Sequence, residues 1–300
     1  MLQLSNGTYS IKVDPNHGGK ITSLIYLPKG IELLVPPPIV EATTTSDERW
    51  PLRFSLADSY GWDEMFPTID ADENISLPWG PVDFPDHGDL WSLPWVCSQD
   101  AQSITGEVMG TSFPYRFKRI MALENGKILV RYSITNLTSS AISVVWAAHM
   151  LFSLVDGMYL ELPDEIDSVI NAFDGGIFGR YGRLVRSGDM SFHRHASFLA
   201  DSGLCGKWYT SHKLHEGRVT LISPSQGIAT TVSFPTEQVP YLGIWITEGG
   251  WNGQRAIGVE PANAAMDSPS KARRFGMEHI LPPHAAQSWS MELSIAPIGI

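Results

Sequence analysis

The segment from residue 115 to 154, YRFKRIMALENGKILVRYSITNLTSSAISVVWAAHMLFSL, restricts the fold more than any other stretch. Polar and apolar residues alternate on both sides of ENGK, the period of a strand with one buried face. Asn125 and Gly126 supply the positive φ angles of a tight hairpin turn. RYSIT keeps the alternation, NLTSS reads as a turn, and AISVVWAAHML reads as a more continuously buried strand. Similar short strands are GGKITSLIYL, GRVTLISP, GIATTVSFP, YLGIWITEG and SWSMELSIAP. Apolar residues almost nowhere recur at helical spacing over a dozen positions. Many short strands with turn chemistry between them predict an all-β sandwich or barrel and not alternating βαβ units.

Two regions depart from this pattern. Residues 35 to 95 are rich in Pro, Asp, Gly and Trp with little periodicity, and their aromatic content argues against disorder. Residues 163 to 217 are expected to wander over the surface. No linker or internal repeat divides the chain, so residues 1–300 are expected to form one domain.

Charge narrows the partners. The 300 residues carry a formal net charge of -11, and the lysines and arginines are scattered. That leaves no basic stripe for a phosphate backbone, so nucleic acid is an unfavoured partner. No apolar run approaches the roughly 20 residues of a membrane helix, and the N-terminus lacks signal-peptide organisation. A cytoplasmic protein with no membrane partner is expected, as a monomer or homodimer. Cys97 and Cys205 form neither a metal-ligand spacing nor a disulfide framework.

Several side chains are candidates for chemistry. Ten tryptophans are well above ordinary usage, and Trp62, Trp79, Trp91 and Trp95 are close together in sequence. About half are expected in the core; the others keep company with Asp, His, Gly and Pro and offer flat platforms for a sugar ring. His149, at the end of a buried strand, reads from sequence alone as a core histidine satisfied by a hydrogen bond. His87, in PDHGDLW, is a turn or binding histidine. His193 and His195 in FHRH lack a third ligand at a recognisable spacing, and TIDADEN lacks the ordered loop of a calcium site, so no metal is expected. Asp63 and Glu64 in GWDEMFPTID invite a glycan-cleaving reading, since two carboxylates can flank a glycosidic bond. Glu260, in RAIGVEPANAAMDS, stands between an apolar run and a proline. Such a carboxylate belongs either to a solvated turn or to a site that holds it for chemistry.

Taken in order, these motifs resemble the aldose 1-epimerase (galactose mutarotase) family. GGKITSLIYLPKGIELL is similar to its opening strand and DHGDLWSLPW to its His-Gly loop. RYSITNLTSSAISVVWAAHMLFSL is similar to its histidine strand, LGIWITEGGWNGQRAIGVEPANAAMDS to its Glu-Pro segment, and RRFGMEHILPPHAAQSWSMELSI to its closing strand. The likeness runs from about residue 18 to residue 295.

The resemblance implies a large antiparallel β-sandwich, the galactose mutarotase-like supersandwich. It also implies an isomerase that interconverts the α and β anomers of a small-molecule carbohydrate without a cofactor. By resemblance Glu260 is the base that takes the anomeric hydroxyl proton, and His149 the acid that protonates the ring oxygen. His87 then hydrogen-bonds the sugar near that oxygen. The family's early-loop arginine has only Arg53 as a candidate, because GWDEMFPTID stands where its motif is expected; no segment matches the mid-chain aspartate. Lys207 or Trp208, in CGKWYTSHKLHEG, and Trp62, Asp63, Glu64 and Trp245 complete the candidate sugar contacts. A carbohydrate-binding protein without turnover and a glycan-cleaving enzyme are the alternatives on the same sandwich.

Overall fold

The computed structural model of the chain describes residues 1–37, 54, 59–186 and 202–299. The hairpin read from residues 115 to 136 forms in the expected register. Tyr115–Glu124 pairs antiparallel with Lys127–Asn136 down to Glu124 opposite Lys127, with Asn125 and Gly126 at φ 50° and 73°. Burial alternates along Lys127–Asn136 because one face meets the core. The hairpin belongs to an eight-stranded sheet, where Lys127–Asn136 also pairs with Ala286–Pro297. An eleven-stranded sheet forms the other layer. Trp62, Met150, Ile244 and Val259 of the large sheet share one apolar core with Phe117, Val130, Val232 and Leu293 of the smaller one. The architecture is the all-β antiparallel sandwich expected from sequence.

Three local expectations change. AISVVWAAHML is two strands: Ile142–Val144 pairs with His279–Leu281, whereas Ala147–Ser153 lies between Trp62–Met65 and Gln254–Ala262 in the large sheet. At the crossing, the Val145 and Trp146 N–H groups donate to Pro67 O and Asn263 Oδ1 instead of to a ladder. A nearly continuous apolar run carries no mark of where the chain changes partner.

The second change lies in the irregular region. GWDEMFPTID contains Trp62–Met65, a fully buried strand in the middle of the large sheet. Beyond it Asp72–Leu77 and Gly80–Phe84 form a hairpin with Trp79 exposed at its turn. Third, the described part of the 163 to 217 region contributes ordered sheet: Ser168–Asn171, Leu184–Arg186 and Leu204–Thr210 extend the large sheet, and the rest of that expectation, over residues 187–201, lies outside the described residues. The short helix Pro269–Phe275 is capped by the Ser268 side chain and ends at Gly276 in the left-handed conformation. Among the described residues, no helix is long and apolar enough to cross a membrane.

Candidate functional site

Strand register puts the candidate residues on one face of the large sheet. Tyr209 stands opposite Gly243, Gly243 opposite Glu260, and His149 opposite Asp63. Residues directly opposite, and residues two apart along a strand, share a face. Lys207, Trp245 and Gly258 therefore form the next row on the same side. The intervening row, Trp208, Ile244, Val259, Met150 and Trp62, faces the other way into the core. Gly243 leaves room for its neighbour, since a Cβ there would come within 2.7 Å of the Tyr209 ring.

A cavity of about 430 Å³ opens over this face. Glu260 is 1% exposed and His149 5%, and His149 Nε2 lies 3.8 Å from Glu260 Oε1. The Lys207 ammonium sits 2.7 Å from Glu260 Oε2 and 2.8 Å from Asp267 Oδ1. Tyr209 donates a 2.6 Å hydrogen bond to the same Asp267 oxygen. Met266 and Asp267 both have positive φ, 75° and 70°. The Asp267 carbonyl holds this turn by accepting from the N–H groups of Ile69 and Asp70.

His87 arrives from a loop pressed against the strand end. Gly88 makes that approach possible, because a Cβ at its φ of 70° would lie 2.0 Å from the Phe66 carbonyl oxygen. The His87 ring stacks on Phe54 with centroids 3.9 Å apart, and its Nδ1 is 3.0 Å from Asp86 Oδ1. The His87 and His149 ring centroids are 5.5 Å apart. Phe173, Trp245 and Trp251 build an edge-to-face aromatic wall, with centroid separations of 5.2 to 5.9 Å. Lys271 and Asp70 form an ion pair that also lines the cavity.

Burial sets the protonation of these groups. It pushes the Glu260 carboxyl up, against the pull of Lys207, which favours the charged form. Burial drives His149 well below the usual imidazole range, and the charges of His87, Lys207 and Lys20 act in the same direction. His149 Nδ1 is buried with no hydrogen-bond partner among the described residues. Burial alone would lower Lys207, but Asp267 and Glu260 outweigh it and hold the ammonium well above its ordinary value. Asp86 is likewise held down by its bond to His87 against the effect of burial.

Of the residues singled out from sequence, Glu260, His149, His87, Lys207 and Trp245 line this cavity together. Trp62, Asp63 and Glu64 do not. Trp62 points into the core between the sheets, as its register with Ile21 and Met150 requires. Asp63 shares the His149 face but lies beneath the cavity, fully buried, 2.7 Å from Lys20 Nζ. Glu64 points the opposite way, to Arg119 and the indole of Trp146. Trp208 is also in the core, while Arg53, His193 and His195 lie outside the described residues. Among the described residues, no group of three or more His, Cys, Asp or Glu is placed to hold a metal ion.

The sequence did not single out Asp267, Tyr209 or Trp251. Asp267 reaches Lys207 only through a turn whose path no local pattern records. Trp251 closes the hairpin that returns to Glu260, and only the register of that hairpin shows it over the same face.

No protein-family model and no curated protein sequence matches the chain. Solved structures do match over nearly its whole length. The Slr1438 protein of Synechocystis sp. PCC 6803 is 15% identical, with a TM-score of 0.74 over 99% of this chain and 95% of that one. An Escherichia coli K12 protein described as a candidate aldose 1-epimerase is 15% identical, with a TM-score of 0.73 over 99% and 98%. A galactose mutarotase-like protein of Lactobacillus casei is 17% identical, with a TM-score of 0.70 over 99% and 100%. At these identities the likeness shows the fold, which is galactose mutarotase-like.

Proposed function

We propose that this protein is an aldose 1-epimerase-type isomerase that interconverts the α and β anomers of a free sugar or sugar derivative. The observation that carries this reading is the convergence of Glu260, His149 and His87 on one cavity beside an aromatic wall. The fold's likeness to mutarotase-like proteins supports it. The reaction needs a base at the anomeric hydroxyl and an acid at the ring oxygen. Glu260, charged beside Lys207, takes the hydroxyl proton while the C1–O5 bond breaks to give the open-chain aldehyde. His149 delivers a proton to the ring oxygen, and its lowered affinity for that proton makes the imidazolium a strong donor. His87, oriented by Asp86, hydrogen-bonds the sugar beside that oxygen. Rotation about C1–C2 and reclosure with the two roles exchanged give the other anomer, and no cofactor enters the sequence.

The two alternatives differ in what they require. Glycan cleavage by Asp63 or Glu64 lacks support, because neither carboxylate lines the cavity. A binding protein without turnover would use the same walls. The test is exchange NMR on freshly dissolved single anomers of neutral aldoses, uronic acids and sugar phosphates. Accelerated exchange for one sugar, abolished in Glu260→Gln, is the expected result. Line broadening without acceleration would replace the isomerase with a binding module.

A further inference from the structure

Resting on that reading, we infer that Lys207 is a positioning residue that keeps Glu260 charged, and that Asp267 keeps Lys207 paired when Glu260 takes up a proton. The geometry is a chain of buried groups in contact. Glu260 Oε2, Lys207 Nζ and Asp267 Oδ1 follow one another at 2.7 and 2.8 Å, and the Tyr209 hydroxyl closes the chain at 2.6 Å. Lys207, Glu260 and Asp267 are each under 10% exposed, so solvent screens their charges little.

Charge accounting explains why two carboxylates share one ammonium. With both acids ionised the trio carries one excess negative charge, which is the capacity to accept one proton. Once Glu260 is protonated, Lys207 and Asp267 remain a neutral pair, and no buried ion is left alone at the point of reaction. With Lys207 and Glu260 alone, protonation would strand a buried ammonium without a counter-charge. The same pairing keeps Lys207 protonated beside the aldehyde of the open-chain sugar, so its nitrogen has no lone pair with which to attack that carbon.

The groups facing Glu260 come from every neighbouring element. They are Lys207 and, through Asp267, Tyr209 on one side, His149 on the adjacent strand, and His87 with Asp86 from the loop above. Asp70, paired with Lys271, stands behind Asp267. Lys207 favours the charged form of Glu260 and Asp267 disfavours it. Removing one or the other must therefore move Glu260 in opposite directions, an outcome that loss of packing does not produce.

The deciding experiment is a pH titration of the full-length, unliganded protein by ¹³C NMR with label at the glutamate carboxyl carbons. The Glu260 signal is assigned by its loss in Glu260→Gln. Relative to wild type, Lys207→Met is expected to raise the Glu260 midpoint by about 1 to 3 pH units, and Asp267→Asn to lower it by about 1 or more. Lys207→Arg, which retains the charge, should restore the midpoint toward wild type. Asp267→Asn keeps an acceptor for Tyr209 and tolerates positive φ, so it decides the matter should Lys207→Met fail to fold. Midpoints that move together, or Asp267→Asn leaving the midpoint unmoved or raised, would overturn the assignment. The acid limb of the anomer-exchange rate should follow the NMR midpoint. Opposed midpoints in a protein that accelerates exchange of no sugar would leave this assignment standing and remove the isomerase reading; exchange with unmoved midpoints would do the reverse.

Discussion

Two glutamates of this sheet, Glu64 and Glu260, are both almost fully buried beside a buried cation, yet only one stands at a cavity. Glu64 faces the space between the sheets, where Arg119, Trp146 and the neighbouring Tyr132 enclose it. Arg119 in turn donates to the Gly19 carbonyl and lies 4.9 Å from the centre of the Trp95 ring. Glu260 faces the other side, where Lys207 occupies one oxygen and the opposite oxygen looks toward His149 and open space. Burial and a displaced pKa thus do not distinguish a carboxylate at a cavity from one in the core. The distinction lies in what adjoins the pair: packed side chains in one case, an open cavity of about 430 Å³ in the other.

The comparison is broken most directly by exchanging carboxyl for amide. Glu260→Gln is expected to lower the anomer-exchange rate by about 10²- to 10⁴-fold, the usual contribution of a general base, with an unchanged melting temperature. Wild-type exchange in this variant would dissolve the contrast. Arg119→Met should do the opposite. It leaves Glu64 buried without its cation, costing about 3 to 5 kcal/mol of stability by denaturant unfolding, while exchange per folded molecule is retained.

Next in size is a pH effect on stability. Burial pushes Glu64 up to about 7 despite Arg119 and its hydrogen bonds. Its folded-state pKa exceeds the unfolded value, so its favourable linkage is fully present below about pH 4.5 and is lost as pH rises through about 7. The expected loss is roughly 3 kcal/mol, read as the difference between the pH–stability curves of wild type and Glu64→Gln. Parallel curves would mean that Arg119 keeps Glu64 ionised throughout. If His149 is the acid as proposed, its lowered proton affinity places the alkaline fall of kcat/KM at a midpoint below 6.5. A profile flat from pH 5 to 8 would remove His149 as the acid. The smallest effect belongs to the aromatic wall: Trp251→Ala should raise KM by about twofold to tenfold with kcat little changed, the worth of one aromatic contact.

Much of this was legible in the residues. The NG hairpin and the two-residue alternation gave the strand class, because a turn needing positive φ and a half-buried strand both leave local signatures. The family likeness singled out Glu260, His149 and His87, and these share the cavity. GWDEMFPTID misled in two ways. Its Pro, Asp and Gly content reads as loop, yet four of its residues form a central strand whose two carboxylates pair with Lys20 and Arg119, residues distant in sequence. Its paired acids suggest a joint site, yet adjacent residues on a strand point to opposite faces.

Periodicity and turn chemistry, which are local properties of the residues, carried the strand content and the sandwich-or-barrel class, and the family likeness added the acid and base candidates. Only the tertiary structure decided which candidates meet. The Glu260, Lys207 and Asp267 trio joins two strands and a turn, and its assembly depends on the registers of Leu204–Thr210, Tyr241–Trp251 and Gln254–Ala262. Register arises from contacts between residues far apart in the chain, and moving one strand by one residue would turn Lys207 into the core.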